Sequence, residues 1–184
     1  MQQSKKDVEL GRFLSLILRH NPSAAGISLD LNGWADVDKL LAGVRHSGRW
    51  IDKETLERLV RENNKQRYSF NENHTKIRAN QGHSLAVDIE LSPKIPPDIL
   101  YHGTATRFLP SIRQLGITKQ NRQHVHLSAD LQTAVTVGKR HGKAVVLSIN
   151  TAEMVKDGYV FYYSENKVWL CDIVPWHYIT EIKL

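Results

Sequence analysis

At Ser92-Pro-Lys-Ile-Pro-Pro97 the chain meets a barrier to regular structure. Proline lacks a backbone donor and pushes the residue before it into extended geometry, so neither a helix nor a central strand runs through the pair. The paired prolines therefore mark a boundary. Residues 85–97 read as a linker with a short strand from Val87 to Leu91. The division falls near residue 90, giving regions 1–90 and 91–184, and 184 residues suffice for two small domains.

The first region is helical, then hairpin-like. Residues 4–20 carry an apolar stripe of Val8, Leu10, Phe13, Leu14, Ile17 and Leu18. Ser4 or Asp7 can cap this helix and Pro22 stops it, which puts Arg19 and His20 in the last turn. Ile27 to Leu31 reads as a short strand, followed by a turn at Asn32-Gly33 and then Trp34. A second helix starts at Asp36 and a third at Asp52, each opened by an aspartate. Arg67-Tyr-Ser-Phe, a turn through His74, and Thr75-Lys-Ile-Arg-Ala form a hairpin pattern. Three helices and a hairpin make a winged-helix-like lobe, a fold that does not by itself establish function.

The second region is strand-rich. Ile99 to His102 is a strand running into a turn at Gly103, and Ala105 to Leu115 is a helix ended by Gly116. His124 to Leu127 is a strand, Asp130 to Arg140 a helix, and Lys143 to Ile149 a buried strand. Ala152 to Lys156 is a short helix. Val160 to Tyr163, Lys167 to Leu170 and Tyr178 to Leu184 supply further strands. The fold class is α+β, with the second lobe built on a split antiparallel sheet.

Composition excludes several classes. Cys171 stands alone, so an internal disulfide and a cysteine-cluster zinc site are ruled out. No apolar run approaches the ~20 residues of a membrane helix. The opening Met1-Gln-Gln-Ser-Lys-Lys-Asp7 lacks the apolar core of a signal peptide, and the expectation is a cytoplasmic protein. Nothing resembling an exposed heptad is present, so a monomer is expected. A net charge of +6, with both halves mildly basic, suits a phosphate gripped by a few arginines better than diffuse coating of nucleic acid. No GxGxxG, Walker A, HExxH or GxSxG occurs, so any dinucleotide here is not held by a Rossmann site.

Several residues could carry chemistry, and each has a plainer reading. Arg19 and His20 at a helix C-terminus complement the helix dipole, yet they could also hold a phosphate and move a proton near neutral pH. Arg67 opens a hairpin and could pair with a carboxylate. Arg122 places a permanent cation at the entrance of the His124–Leu127 strand. Gly103 lets a ligand approach the backbone, while His102 and Thr104 can donate to ribose hydroxyls; a strand-end turn with a satisfied histidine is the alternative. His124 and His126 should share a strand face, but no third metal ligand of fitting spacing is evident. Arg140 and His141 end a helix, where cations suit the dipole.

Six stretches then occur in order: Leu16-Ile-Leu-Arg-His-Asn-Pro22, Gly33-Trp-Ala-Asp-Val-Asp-Lys-Leu40, Asn64-Lys-Gln-Arg-Tyr-Ser-Phe70, Ile77-Arg-Ala-Asn-Gln-Gly-His-Ser84, Tyr101-His-Gly-Thr104 and Arg122-Gln-His-Val-His-Leu-Ser-Ala-Asp130. Each alone is weak. Together, over nearly the whole chain, they resemble the RNA 2′-phosphotransferase family, NAD-dependent enzymes that remove the splice-junction 2′-phosphate from transfer RNA.

The resemblance implies a winged-helix RNA lobe (1–90) and a C-terminal lobe of the ADP-ribosyltransferase fold (91–184). It implies NAD as a consumed co-substrate, 2′-phosphorylated RNA as partner, and no metal. The family's Arg-His-Arg-Arg catalytic set corresponds to Arg19, His20, Arg67 and Arg122. Its NAD signature corresponds to His102 and His126, with Val168 as third position. His102 and Gly103 would hold the nicotinamide riboside, and Thr104 and Ser128 the remainder of NAD. Two other functions stay open at this point: an ADP-ribosyltransferase that caps terminal nucleic-acid phosphates, and a non-catalytic winged-helix RNA-binding module.

Overall fold

The computed structural model describes residues 4–182. By its internal contacts the chain divides between Glu90 and Leu91 into two units.

In the first unit, α1 (Lys5–Arg19) begins where the Ser4 hydroxyl accepts the N–H of Asp7 and ends at His20, whose N–H still reaches Leu16. Its buried stripe is Leu10, Phe13, Leu14, Ile17 and Leu18; Val8 stays exposed. A single 3₁₀ turn, Pro22–Ala25, follows. The strand expected at Ile27–Leu31 does not form. The strand is β1 (Trp34–Asp36) instead, beyond the Asp30–Gly33 turn, where Asp30 accepts the N–H groups of Asn32 and Trp34 and leaves Ile27–Asp30 as a loop. Helices α2 (Val37–His46) and α3 (Lys53–Arg61) are capped by Asp36 and Asp52, which accept N–H bonds from Lys39 and Thr55. Strands β2 (Tyr68–Phe70) and β3 (Lys76–Ala79) form an antiparallel hairpin, and β1 joins its far side in the order β1-β3-β2. The helices bury their leucines and isoleucines against Ile77, Ala79 and Tyr68 of this sheet. No strand forms at Val87–Leu91: Asp88 accepts the Glu90 N–H and its own N–H goes to Leu31, a local arrangement that competes with a ladder.

In the second unit, β4 (Ile99–Ala105) runs straight through Gly103, so the expected glycine turn is absent and Gly103 pairs with Val146. A 3₁₀ turn (Thr106–Phe108) precedes α4 (Leu109–Leu115), so the expected single helix from Ala105 starts later. Short β5 (Ile117–Thr118) comes next, then β6 (Val125–Leu127). Helix α5 (Leu131–Gly138) stops before Arg140, and Lys139–His141 form a 3₁₀ turn. The remainder is β7 (Ala144–Asn150), α6 (Thr151–Lys156), β8 (Tyr162–Tyr163), β9 (Trp169–Cys171), β10 (Ile173–Val174) and β11 (Ile179–Ile182). The last strand is shorter than expected at its start, and Lys183 and Leu184 lie outside the described residues.

These strands form three small antiparallel sheets, ordered β11-β7-β4, β6-β9-β8 and β10-β5. A bridge between Tyr101 and Ser128 ties β4 to the segment after β6. Leu100, Leu147, Ile149, Met154 and Phe161 fill the core, with Val125, Leu127 and Trp169 arriving from the second sheet. On the other face of β4, helix α5 packs Ala134 and Val135. The architecture is α+β throughout.

Candidate functional site

In the first unit the cations gather at the C-terminal end of α1. Arg19 stands 6.0 Å over the ring of Tyr68, the residue after Arg67. Both guanidiniums act on the Tyr68 phenol: burial raises its pKa, and Arg19 and Arg67 oppose that rise. The phenol is pinned to α1 by donating to the Gly11 carbonyl (2.9 Å) and by a 2.6 Å bond with the Ser15 hydroxyl. Arg67 donates to Asn63 Oδ1 at 3.3 Å, and its carbonyl accepts the Asn80 N–H.

The segment Gln81–Ser84 closes over Arg19 and His20. The Ser84 N–H donates to the Arg19 carbonyl at 3.0 Å, and the Ser84 hydroxyl lies 3.0 Å from His20 Nδ1. His83 is fully buried, and among the described residues neither ring nitrogen has a hydrogen-bond partner. Burial first, then Arg19, His20 and Arg78, pull its pKa down to about 4, so the ring is neutral near pH 7.

In the second unit β4 and β6 lie side by side. His102 Nδ1 is 3.1 Å from the His126 carbonyl. A carbonyl only accepts, so Nδ1 carries the proton. Burial lowers the His102 pKa against the pull of that carbonyl, with His141 and Arg122 adding to the drop. The neutral ring therefore presents Nε2 as an acceptor, where the sequence had suggested a donor.

Arg122, exposed ahead of β6, donates from Nη1 to His126 Nδ1 at 3.4 Å. Guanidinium has no acceptor, so a neutral His126 carries its proton on Nε2. The pair thus differs in sense, one ring accepting at Nε2 and the other donating there. Alternation along β6 buries Val125 and Leu127 and puts His124 and His126 on the opposite face. Among the described residues no group of three or more His, Cys, Asp or Glu could hold a metal ion.

The other sequence candidates are placed less simply. A Cβ on Gly103 would lie 1.8 Å from the Ala134 carbonyl of α5. Glycine is required there so that helix and strand can touch. Thr104 is 5% exposed, on the same strand face as His102. The Ser128 hydroxyl is engaged in the turn entering α5, donating to the Asp130 carbonyl at 2.9 Å and accepting the Asp130 N–H at 3.0 Å. Val168 sits in the turn between β8 and β9, where its N–H donates to Ser164 Oγ. Asn63, Tyr68, His83 and Ser84 join these cations only in the folded chain. The Ile77–Ser84 stretch carries no local signal of this role, because its partners lie up to 65 residues away.

Guanidinium and imidazole groups collected within each unit, on helices and small antiparallel sheets, define an α+β protein equipped for a phosphate-bearing ligand. Comparison with known proteins gives the family. The model of the RNA 2′-phosphotransferase, Tpt1 / KptA family, matches residues 5–173, and the chain belongs to that family of enzymes. A "Probable RNA 2′-phosphotransferase" of Fusobacterium nucleatum is 59% identical over 94% of this chain and 97% of its own length. Similarly named proteins of Acaryochloris marina and Nostoc punctiforme are 48% and 49% identical, covering 100% and 95% of this chain and 100% and 97% of their own lengths.

Proposed function

We propose that this chain removes an internal 2′-phosphate from RNA, such as the splice junction of a transfer RNA, by transferring it to NAD. The unit up to Glu90 serves as a winged-helix-like RNA lobe, and the unit from Leu91 as an ADP-ribosyltransferase-like NAD lobe. Family membership supports the removal of a 2′-phosphate from RNA. The observation that carries the finer reading is the Arg122–His126–His102 chain of contacts, which ties one proposed catalytic cation to the two proposed NAD histidines.

The residues fit such a co-substrate. Acceptor Nε2 of His102 and donor Nε2 of His126 suit a ribose diol or a carboxamide, each of which has both senses of hydrogen bond. Val168 supplies an apolar contact in place of a glutamate.

The reaction has two displacements. An oxygen of the RNA 2′-phosphate bonds to the anomeric carbon of the nicotinamide ribose, and nicotinamide leaves with the electrons of the broken C–N bond. The ribose 2″-hydroxyl then bonds to the same phosphorus. Its proton is lost, the bond to the RNA 2′-oxygen breaks, and that oxygen takes a proton. The products are RNA with a 2′-hydroxyl and ADP-ribose 1″,2″-cyclic phosphate.

A phosphate dianion needs little general-base help in the first step. In the second, charge builds on a pentavalent phosphorus, the kind of charge that forked guanidinium donors such as those of Arg19, Arg67 and Arg122 are suited to stabilise. His20, at the end of α1, holds the phosphate and protonates the departing RNA oxygen.

The test is incubation with NAD and an RNA bearing one internal 2′-phosphate. Nicotinamide and dephosphorylated RNA should appear in equal amounts. Arg67→Ala or Arg19→Ala should accumulate RNA carrying ADP-ribose on its 2′-phosphate, visible by mass. Nicotinamide release without dephosphorylation by the wild type would instead make the chain a capping ADP-ribosyltransferase. An unconsumed NAD pool would make it a binding module.

A further inference from the structure

We propose that a cavity in the first unit, between α1, the end of α3 and the start of β2, holds a nucleotide neighbouring the 2′-phosphorylated one, with its phosphodiester on Arg12. This deepens the proposed function and rests on its RNA substrate. The cavity measures about 310 Å³, within the ~300–1,000 Å³ usual for small-ligand sites.

Its charge points to an anion. Arg12 and Arg67 both line it. The carboxylate on its wall, Asp7, is clamped by Arg58 through bonds of 2.8 and 3.1 Å, which neutralises it locally. Among the described residues the Arg12 guanidinium has neither an ion pair nor a hydrogen bond, although it faces a cavity that holds a second guanidinium. Two guanidiniums thus line one cavity whose carboxylate is already paired, an arrangement that suits a polyanionic strand.

Its shape points to a nucleotide. Gly11 forms part of the floor, and a Cβ built there meets nothing within 4 Å, so the helix backbone lies open to a flat group. Val8 and Leu59 give that group apolar walls. Asn63 fixes the Arg67 guanidinium along the rim. With Arg67 on the reacting phosphate, the next residue of the strand is the part of the substrate nearest this cavity.

Two variants test it from opposite directions. Arg12→Ala removes the charge from an exposed position. Gly11→Leu occupies part of the cavity, keeps every charge and improves helix propensity. Binding of a 2′-phosphorylated hexaribonucleotide and of a nucleoside 2′-phosphate is measured by fluorescence anisotropy and calorimetry without NAD, over a salt series. The hexamer should bind both variants about 5- to 10-fold more weakly, and Arg12→Ala should reduce the salt slope by about one. The mononucleotide should bind all three proteins alike. Unchanged hexamer binding by both variants, or an equal loss with the mononucleotide, overturns the subsite. Turnover by the wild type with NAD is followed separately. A wild type that binds the hexamer without removing its phosphate overturns the proposed function, while the binding contrast still decides the subsite.

Discussion

His83 shows how much one side chain depends on its surroundings. Its neighbours hold the ring neutral, with a pKa near 4 against an ordinary value near 6.5. Between those values the unfolded chain binds a proton that the folded chain refuses. Stability is therefore complete above about pH 6.5 and is lost as pH falls toward 4, by an amount on the order of 3 kcal/mol. Urea titrations from pH 7.5 to 4 should show this slope, and His83→Phe should flatten it. Ser84, its neighbour, acts through a different group. Its hydroxyl fixes the orientation of His20 and its N–H holds the Arg19 carbonyl. Ser84→Ala should lower kcat about tenfold and move the pH–rate profile, with little change in KM for RNA. Ser84→Thr should restore both, whereas a purely structural defect would leave the profile in place.

At the scale of elements, the contact of α5 with β4 organises the second unit. It is set by two glycines on facing backbones: Gly103 beneath the Ala134 carbonyl, and Gly138, where a Cβ would come within 2.8 Å of the Thr104 carbonyl. Both obstructions are backbone atoms, which cannot swing aside. Gly103→Ala should therefore cost about 2–3 kcal/mol and displace His102 and Thr104. Thermal melts of the whole chain would register the loss. Gly11→Ala should be neutral or slightly stabilising in the same melts, since its Cβ enters open space in a helix. A similar fall for both would mean that glycine content, not the facing backbones, sets the effect.

Across the molecule, each unit has its own apolar core and its own collection of cations. The proposed chemistry calls on arginine and histidine cations, not a divalent ion, to offset phosphate charge. Turnover should therefore be unchanged in excess EDTA, and a rate that collapses and returns with added magnesium or zinc would contradict this. The N-terminal boundary of α1 and the starts of α2 and α3 were readable in the sequence because a cap is a local event, an oxygen three residues ahead of the N–H it accepts. The hairpin and the buried faces were readable for the same reason, as short-period patterns. The strands expected at Ile27–Leu31 and Val87–Leu91 do not form, because a strand exists only if a partner offers its edge. β3 offered its edge to Trp34–Asp36 instead.

The same division runs through the site. Local order along the chain marked Arg19, His20, Arg67, His102, Arg122 and His126 as residues of interest, through spacing and resemblance. It could not say which nitrogen of His102 or His126 carries a proton, because a carbonyl in one case and a guanidinium in the other decide that across space. Nor could it say why Gly103 is glycine, since the atom it must avoid belongs to a helix some thirty residues on. Capping, periodicity and backbone restriction act over a few bonds and are written in order. Proton placement, close packing and the buried neutrality of His83 depend on groups that only the folded chain brings within a few ångströms.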